Sequence, residues 1–227
     1  MKNLLFGYFT LFLVTLSFCQ DWNYYIQTKG IVNTTFIVNN AVITDKNQSN
    51  AFALGGNGGI GASIIYDNTV GASVDILFGT HTANYTGKYN VGPIESSYTS
   101  KVKLTTVQIP ILFRLDSEEG YLEIGPQLNV ITSANYSSNS SIFMDDQVMD
   151  AYKKTSWSGV LGVGSLHELG RRSPLSLSFG LRVHYGLTTI EGVTPTGSLV
   201  VNLPNKEKSL LFAGGFCLGV IYQLNYR

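Results

Sequence analysis

The sequence predicts an all-β protein, an eight-stranded antiparallel up-and-down transmembrane β-barrel that follows an N-terminal signal peptide. Three observations predict it. Charged residues make up 13% of the chain, about half the share in ordinary soluble domains. No segment after the N terminus has the ~18 consecutive apolar residues that a membrane helix requires. Long segments instead alternate between bulky apolar and small or polar residues, which is the period of a β-strand.

The N-terminal segment has the layout of a secretory signal peptide. Lys2 supplies a positive charge, and an uncharged apolar run follows from Leu4 to Phe18. Small residues at Ser17 and Cys19 predict cleavage before Gln20. We therefore expect residues 1–19 to be a signal peptide and residues 20–227 to form one outer-membrane β-barrel domain. Lipidation of Cys19 is the alternative, and the bulky Phe18 disfavours it.

Eight segments have the alternating pattern and the ~9 to 11 residues that a tilted strand needs to cross a bilayer. The pattern is clearest in the last two, where every second residue is large and apolar. The predicted strands are Tyr24–Ile37, Phe52–Tyr66, Thr69–Thr82, Val102–Leu115, Tyr121–Ile131, Thr155–Leu166, Leu175–Leu187 and Leu210–Tyr226.

The connections between these segments alternate in length. Short turns are predicted at Asp67-Asn68, Asp116–Gly120 and His167–Pro174. Long loops rich in Asn, Ser, Thr and Gly are predicted at Val38–Asn50, His81–Lys101, Thr132–Lys154 and Thr188–Lys208. Short turns on one side and long loops on the other are typical of outer-membrane barrels, whose termini and turns lie in the periplasm. The predicted location is the cell outer membrane.

A soluble barrel would carry the same alternation with the opposite orientation. Its water-facing residues would be Lys, Glu and Thr, whereas the alternate face here is mainly Gly, Ser, Ala, Asn and Gln. Small residues fit the narrow interior of an eight-stranded barrel, so the bulky face is expected to contact lipid. By parity the inward side chains include Lys29, Asp75, Arg114, Glu123, Gln127 and Arg182. We expect them to fill the lumen and to pair with one another, with a salt bridge between Arg114 and Glu123.

Aromatic residues near the ends of the predicted strands indicate two interfacial girdles. The periplasmic girdle would contain Trp22, Tyr24, Tyr66, Tyr121, Tyr222 and Tyr226. The loop-side girdle would contain Phe36, Phe52, Tyr85, Trp157 and Tyr185.

Two prolines lie inside predicted strands, where proline removes a ladder hydrogen bond. The run Gln108-Ile109-Pro110-Ile111-Leu112, followed by Gly125-Pro126, resembles the fourth and fifth strands of the PorT-like outer-membrane β-barrel family, widespread in Bacteroidota. The resemblance extends to Cys19-Gln20, to the glycine-rich run Gly55–Gly61 and to the terminal Tyr226-Arg227, where members more often end in Phe. It implies a barrel fold and, as one role, assembly of a type IX secretion system.

Candidate catalytic or ligand-binding chemistry is sparse. His81, His167 and His184 are predicted at a loop edge, a turn and a lumen position, and no pair has metal-ligand spacing. Asp145, Asp146 and Asp150 could bind Ca²⁺, although a solvated acidic loop is favoured. His81 and Asp75 share a face, but their separation along one strand is about 20 Å, too far for a catalytic dyad. We therefore predict no catalytic, metal or cofactor residues.

The expected function is non-enzymatic, that of a membrane-anchored scaffold or assembly component. Its expected partners are outer-membrane lipid and other envelope or secretion-system proteins. Because 15 basic residues balance 15 acidic ones, nucleic acid is not an expected partner. The alternatives are a small porin-like channel and, less favoured, an outer-membrane enzyme acting on lipids or peptides.

Overall fold

The alternating segments form the strands of one antiparallel sheet. The computed structural model describes residues 22–38, 47–91, 94–117, 120–140, 146–170, 173–197 and 209–226, so the predicted signal peptide lies outside the described residues. The strands are β1 (Trp22–Val38), β2 (Gln48–Ala51), β3 (Leu54–Tyr66), β4 (Val70–Val91), β5 (Ile94–Asp116), β6 (Gly120–Ser138), β7 (Asp146–Gln147), β8 (Thr155–Glu168), β9 (Leu175–Gly186) and β10 (Leu210–Gln223), with a 3₁₀ turn at Met149–Ala151.

The sheet closes on itself because the first and last strands pair. Each of β1, β3, β4, β5, β6, β8, β9 and β10 is antiparallel to the next, and β10 pairs with β1. The short β2 pairs with β4 beyond the end of the β3–β4 pairing, and β7 pairs with β6. Within the described residues eight strands therefore close a barrel, which confirms the predicted fold. None of the described helical residues forms a helix long and apolar enough to span a bilayer.

The three predicted short turns connect strands at the same end of this barrel. Asp67 and Asn68 have φ values of +48° and +51°, as expected for a type I′ hairpin turn, in which both central residues are left-handed. Thr69 donates its backbone N–H to the Tyr66 carbonyl at 3.0 Å. The turn fixes the register between β3 and β4, and so decides which of their residues face inward.

Side chains alternate between an apolar exterior and a polar interior over most of the barrel height. On β9, Phe179, Leu181 and Val183 are exposed, whereas Arg182 and His184 between them are buried. The inward positions of Lys29, Asp75, Arg114, Glu123, Gln127 and Arg182 are confirmed, because all are buried. An apolar exterior around a polar interior requires lipid outside.

This polarity is inverted at the loop end of β4, β5 and β6. On the inward face of β5, the polar Gln108 is followed toward the loop end by the apolar Leu104 and Val102. On the outward face, the apolar Ile111 is followed by the charged Lys103. Apolar residues face the interior wherever water is outside, so the outer ends of these strands form a sheet beyond the membrane.

Two of the predicted long loops are wrong because of this outer sheet. The segment His81–Lys101 is a hairpin in which β4 continues to Val91 and β5 begins at Ile94. Within Thr132–Lys154, β6 continues to Ser138 and β7 and the 3₁₀ turn follow. The alternation continues through these segments, but the apolar residues now face inward and the polar residues outward. A prediction that follows only a bulky outward face therefore ends the strands too early.

Two members of the predicted girdles face inward. Tyr85 and Tyr121 are 2% and 7% exposed, so both belong to the interior. The other predicted aromatics that are exposed on the barrel exterior are Phe52, Tyr66, Trp157, Tyr185, Tyr222 and Tyr226.

Pro110 and Pro126 interrupt the ladder without opening the barrel. The β4–β5 ladder lacks pairs at residues 75–76, and the β5–β6 ladder lacks pairs at residues 125–126. Proline has no N–H to donate, and the pairing resumes in the same register beyond each gap. Prolines are therefore compatible with these two interior strands.

Candidate functional site in the barrel interior

Four charged side chains meet in the middle of the barrel. Lys29, Asp75, Glu123 and Arg182 come from β1, β4, β6 and β9, which are alternate strands of the ring. Their side chains are at most 4% exposed. We call these four residues the charge cluster. Two cations and two anions give it no net charge.

The charge cluster is continuously hydrogen-bonded across the lumen. Lys29 Nζ lies 2.9 Å from Asp75 Oδ2 and 3.7 Å from Glu123 Oε2. Arg182 donates from Nε to Glu123 Oε1 at 2.7 Å and from Nη2 to Asp75 Oδ2 at 3.3 Å, and Nη2 also lies 2.5 Å from Glu123 Oε1. Gln27 donates to the other Asp75 oxygen at 2.7 Å. Buried charges are stable only when paired in this way.

Glycines on the intervening strands make the room that the cluster needs. Gly61 pairs with Asp75, and a Cβ there would lie 2.0 Å from Asp75 Oδ1. Gly162 pairs with both Glu123 and Arg182, and a Cβ there would lie 2.6 Å from Glu123 Cγ. The cluster therefore depends on small residues opposite each carboxylate.

The predicted Arg114–Glu123 salt bridge is wrong, although the predicted register is right. The two residues are direct cross-strand partners. Arg114 Nε nevertheless binds Asp116 Oδ1 at 2.5 Å, and its guanidinium lies 4.4 Å from the ring centroid of Tyr121. Glu123 contacts Arg182 instead. The Arg182 side chain extends past the intervening strand β8, so that its Nε and Nη2 both lie close to one Glu123 oxygen.

The three histidines lie on β4, β8 and β9. His81 lies within β4, not at a loop edge, and contacts the Thr35 hydroxyl at 3.0 Å and the Gln108 amide. His184 is buried at a lumen position, as predicted, whereas His167 lies within β8 and is exposed, not in the predicted turn. Asp75 contacts Gln27, Lys29 and Arg182 but not His81. The residues that the structure describes contain no group of three potential metal ligands, and Asp145 of the predicted calcium loop lies outside them.

An apolar cluster closes the interior at the loop end. We call it the apolar cap; it comprises Ile37, Ala83, Tyr85, Val102, Leu104, Ile131, Ala134, Tyr136, Tyr152, Ile190, Val193 and Leu211. Tyr152, Ile190 and Val193 come from connections predicted as polar loops. Burial raises the pKa of the Tyr152 phenol, which therefore stays neutral. The cap was missed because seven of its twelve residues lie in segments predicted as loops and the other five lie near the loop-side ends of predicted strands.

Two hydroxyl groups anchor the cap to the outer sheet. Ser100 Oγ and Tyr136 Oη both donate to the Pro195 carbonyl, at 2.6 and 2.9 Å. This fixes the connection after β9 over the barrel mouth. The described interior therefore has a charge cluster at mid-height and an apolar cap above it.

A closed antiparallel barrel with this exterior and interior defines a class, the outer-membrane β-barrels. The sequence profile of the outer membrane protein beta-barrel domain matches residues 20–191, so the chain belongs to that family. Its place is the cell outer membrane.

Several solved outer-membrane proteins are similar in structure at low sequence identity. Neisserial surface protein A has 15% identity, covers 88% of this chain and 96% of its own, and gives a TM-score of 0.41. OprG from Pseudomonas aeruginosa has 11% identity, with 89% and 96% covered and a TM-score of 0.40. Ail of Yersinia pestis has 13% identity, with 88% and 98% covered and a TM-score of 0.37. No curated protein matches the chain.

Proposed function

We propose that this chain is a non-conducting, non-catalytic membrane anchor whose extramembrane surfaces bind another protein of the cell envelope. The observation that carries the proposal is the double closure of the interior by the charge cluster and the apolar cap. A barrel closed in this way offers its outer sheet, connections and periplasmic turns for function.

A small porin-like channel is the alternative. A hydrated ion would have to separate paired charges and then cross an apolar layer, and both steps are costly in free energy. Eight strands also enclose little more than the space that side chains fill. The channel is therefore the second candidate.

An enzyme is disfavoured by the surroundings of the candidate groups. The Thr35–His81 contact pairs a hydroxyl with a possible base. Thr35 and His81 are 1% and 2% exposed inside the barrel, where a lipid or peptide substrate has no access. Catalysis needs a base within reach of both nucleophile and substrate.

The resemblance to PorT-like barrels adds a more specific proposal, assembly of a type IX secretion system. The outer sheet supports a docking role, because β4 and β5 extend well beyond the lipid-facing belt. Deletion of the gene in a host that has this system should retain its cargo proteins inside the cell. Unchanged secretion would remove this proposal and leave the general anchor role intact.

Photocrosslinking in intact cells tests the anchor role. A photoreactive residue at the exposed Thr99 on the outer sheet, or at the exposed Asp67 in a periplasmic turn, should give a discrete protein adduct. The same residue at lipid-facing Leu181 is the matched control. Adducts no more abundant than those from Leu181 would contradict the proposal.

A further inference from the structure

Two lysines lie at the outer boundary of the lipid-facing belt. The outward residues of β5, from the periplasmic end, are Phe113, Ile111, Ile109, Val107, Thr105, Lys103 and Lys101. The last apolar residue of this series is Val107, and both lysines are exposed beyond it.

Neighbouring strands set the same boundary. Val107 pairs with Phe78 on β4 and with Val130 on β6, which gives a continuous apolar row. The rows beyond are polar: Thr80, Thr105 and Ser133; then Thr82, Lys103 and Asn135; then Asn84, Lys101 and Ser137. The exterior surface thus changes from apolar to polar within two residues on three adjacent strands.

The two lysines lie above the lipid-facing belt, and Lys103 is the nearer of the two to the lipid headgroups. Four residues separate Val107 from Lys103 and six separate it from Lys101, about 13 and 20 Å along a strand, or roughly 10 and 15 Å along the membrane normal at the usual tilt. Headgroups occupy about 5 to 7 Å beyond the hydrocarbon on each side. A lysine stem can bend back toward that layer.

Both lysines lack an acidic partner among the described residues. Two other exposed lysines have one, since Lys88 binds Glu95 at 2.7 Å and Lys153 binds Glu191 at 3.0 Å. The cross-strand neighbours of Lys101 and Lys103 are hydroxyl and amide side chains. The direct cross-strand neighbours therefore offer hydrogen-bonding groups and no negative charge to the two lysines.

We propose that Lys101 and Lys103 bind the phosphate group of an anionic lipid in the outer leaflet. The two residues share a face, and their Cα atoms lie about 7 Å apart along the strand, so one headgroup phosphate can contact Lys103 and also Lys101 when the Lys101 stem bends toward the membrane. Asn135, the direct partner of Lys103, adds an amide donor. Phosphate binds lysine and amide donors of this kind.

Native mass spectrometry of the full chain in detergent micelles tests the proposal with diphosphoryl lipid A as the probe. A lysine near an anionic lipid surface contributes about a fivefold gain in affinity, so Lys101→Gln with Lys103→Gln should weaken binding about 30-fold. Lys101→Arg with Lys103→Arg should keep most of the affinity. Dephosphorylated lipid A should bind the wild type and the double Gln variant equally.

Lys88→Gln is the matched control, because it removes one lysine from the same hairpin. It should leave lipid A binding unchanged. The proposal would be overturned if Lys88→Gln weakened lipid A binding as much as Lys101→Gln or Lys103→Gln alone, since net charge would then explain the binding. Wild-type affinity in the double Gln variant would also overturn it. Heat-shifted migration in gels confirms that each variant is folded.

Discussion

Arg182 and Glu123 meet inside the barrel, with two guanidinium nitrogens 2.5 and 2.7 Å from a single carboxylate oxygen. They belong to β9 and β6, and Gly162 of the intervening β8 pairs with both. This contact joins two neighbouring members of the charge cluster. It also gives the cluster its most direct test.

Glu123→Gln should lower the free energy of unfolding by ~3 to 5 kcal/mol if the site is fully dry, and by less if water enters. The substitution keeps the shape of the side chain but leaves the cationic pair with one carboxylate. Urea unfolding in lipid vesicles, followed by tryptophan fluorescence, measures the change. Glu95→Gln removes the exposed partner of Lys88 and should have no measurable effect. Equal stability of Glu123→Gln and Glu95→Gln would mean that the cluster does not stabilise the barrel.

Gly162→Ala should destabilise the barrel by ~1 to 3 kcal/mol, the usual cost of overpacking. The added methyl would lie 2.6 Å from Glu123 Cγ and Oε1, so the carboxylate would have to leave Arg182. Gly30→Ala is the control, because a Cβ at Gly30 has no atom within 4 Å. The same unfolding measurement applies. A Gly162→Ala variant as stable as Gly30→Ala would contradict the close packing of the cluster.

Leu181→Arg should cost ~2 to 4 kcal/mol, as cations do on the lipid face near the bilayer midplane. Leu181 is half exposed and pairs with Phe216 and Val163 in the apolar belt. Thr99→Arg on the outer sheet should be tolerated, and Ser178→Arg, on the buried face, should fail by crowding. Folding yield into vesicles distinguishes the three. Efficient folding of Leu181→Arg with wild-type stability would reverse the inside and outside assignments.

Removing the two hydroxyl groups that donate to the Pro195 carbonyl should loosen the apolar cap. Each hydrogen bond contributes about 1 kcal/mol, so Ser100→Ala with Tyr136→Phe should raise amide exchange in residues 188–197. Tyr185→Phe, on the lipid face, is the control. Hydrogen exchange with mass spectrometry reads out the segment. Unchanged exchange in the double variant would show that apolar packing alone holds the cap.

Much of the fold follows from the sequence because one rule holds through the membrane. Where lipid is outside, period-two alternation with a bulky outward face identifies strands, and parity placed Lys29, Asp75, Glu123 and Arg182 inside. The same rule failed above Val107, where water replaces lipid and the apolar face turns inward. Leu104 and Tyr85 illustrate this exchange.

The salt-bridge partners of the buried charged residues were harder to predict than their inward positions. Register made Arg114 and Glu123 neighbours, but side-chain direction depends on competing partners, and Asp116 and Tyr121 hold Arg114. The glycine positions contained a signal for the true arrangement. A glycine directly opposite an inward charge, as at Gly61 and Gly162, indicates a side chain that needs space across the strand.

Planar-bilayer conductance of the purified wild-type protein tests the central claim most directly, namely that the charge cluster and the apolar cap close the barrel. The account predicts no steady channel openings at moderate voltage, because paired charges and an apolar layer both block hydrated ions. Large, steady channels from the folded wild type would contradict it and would make a pore the first assignment of function.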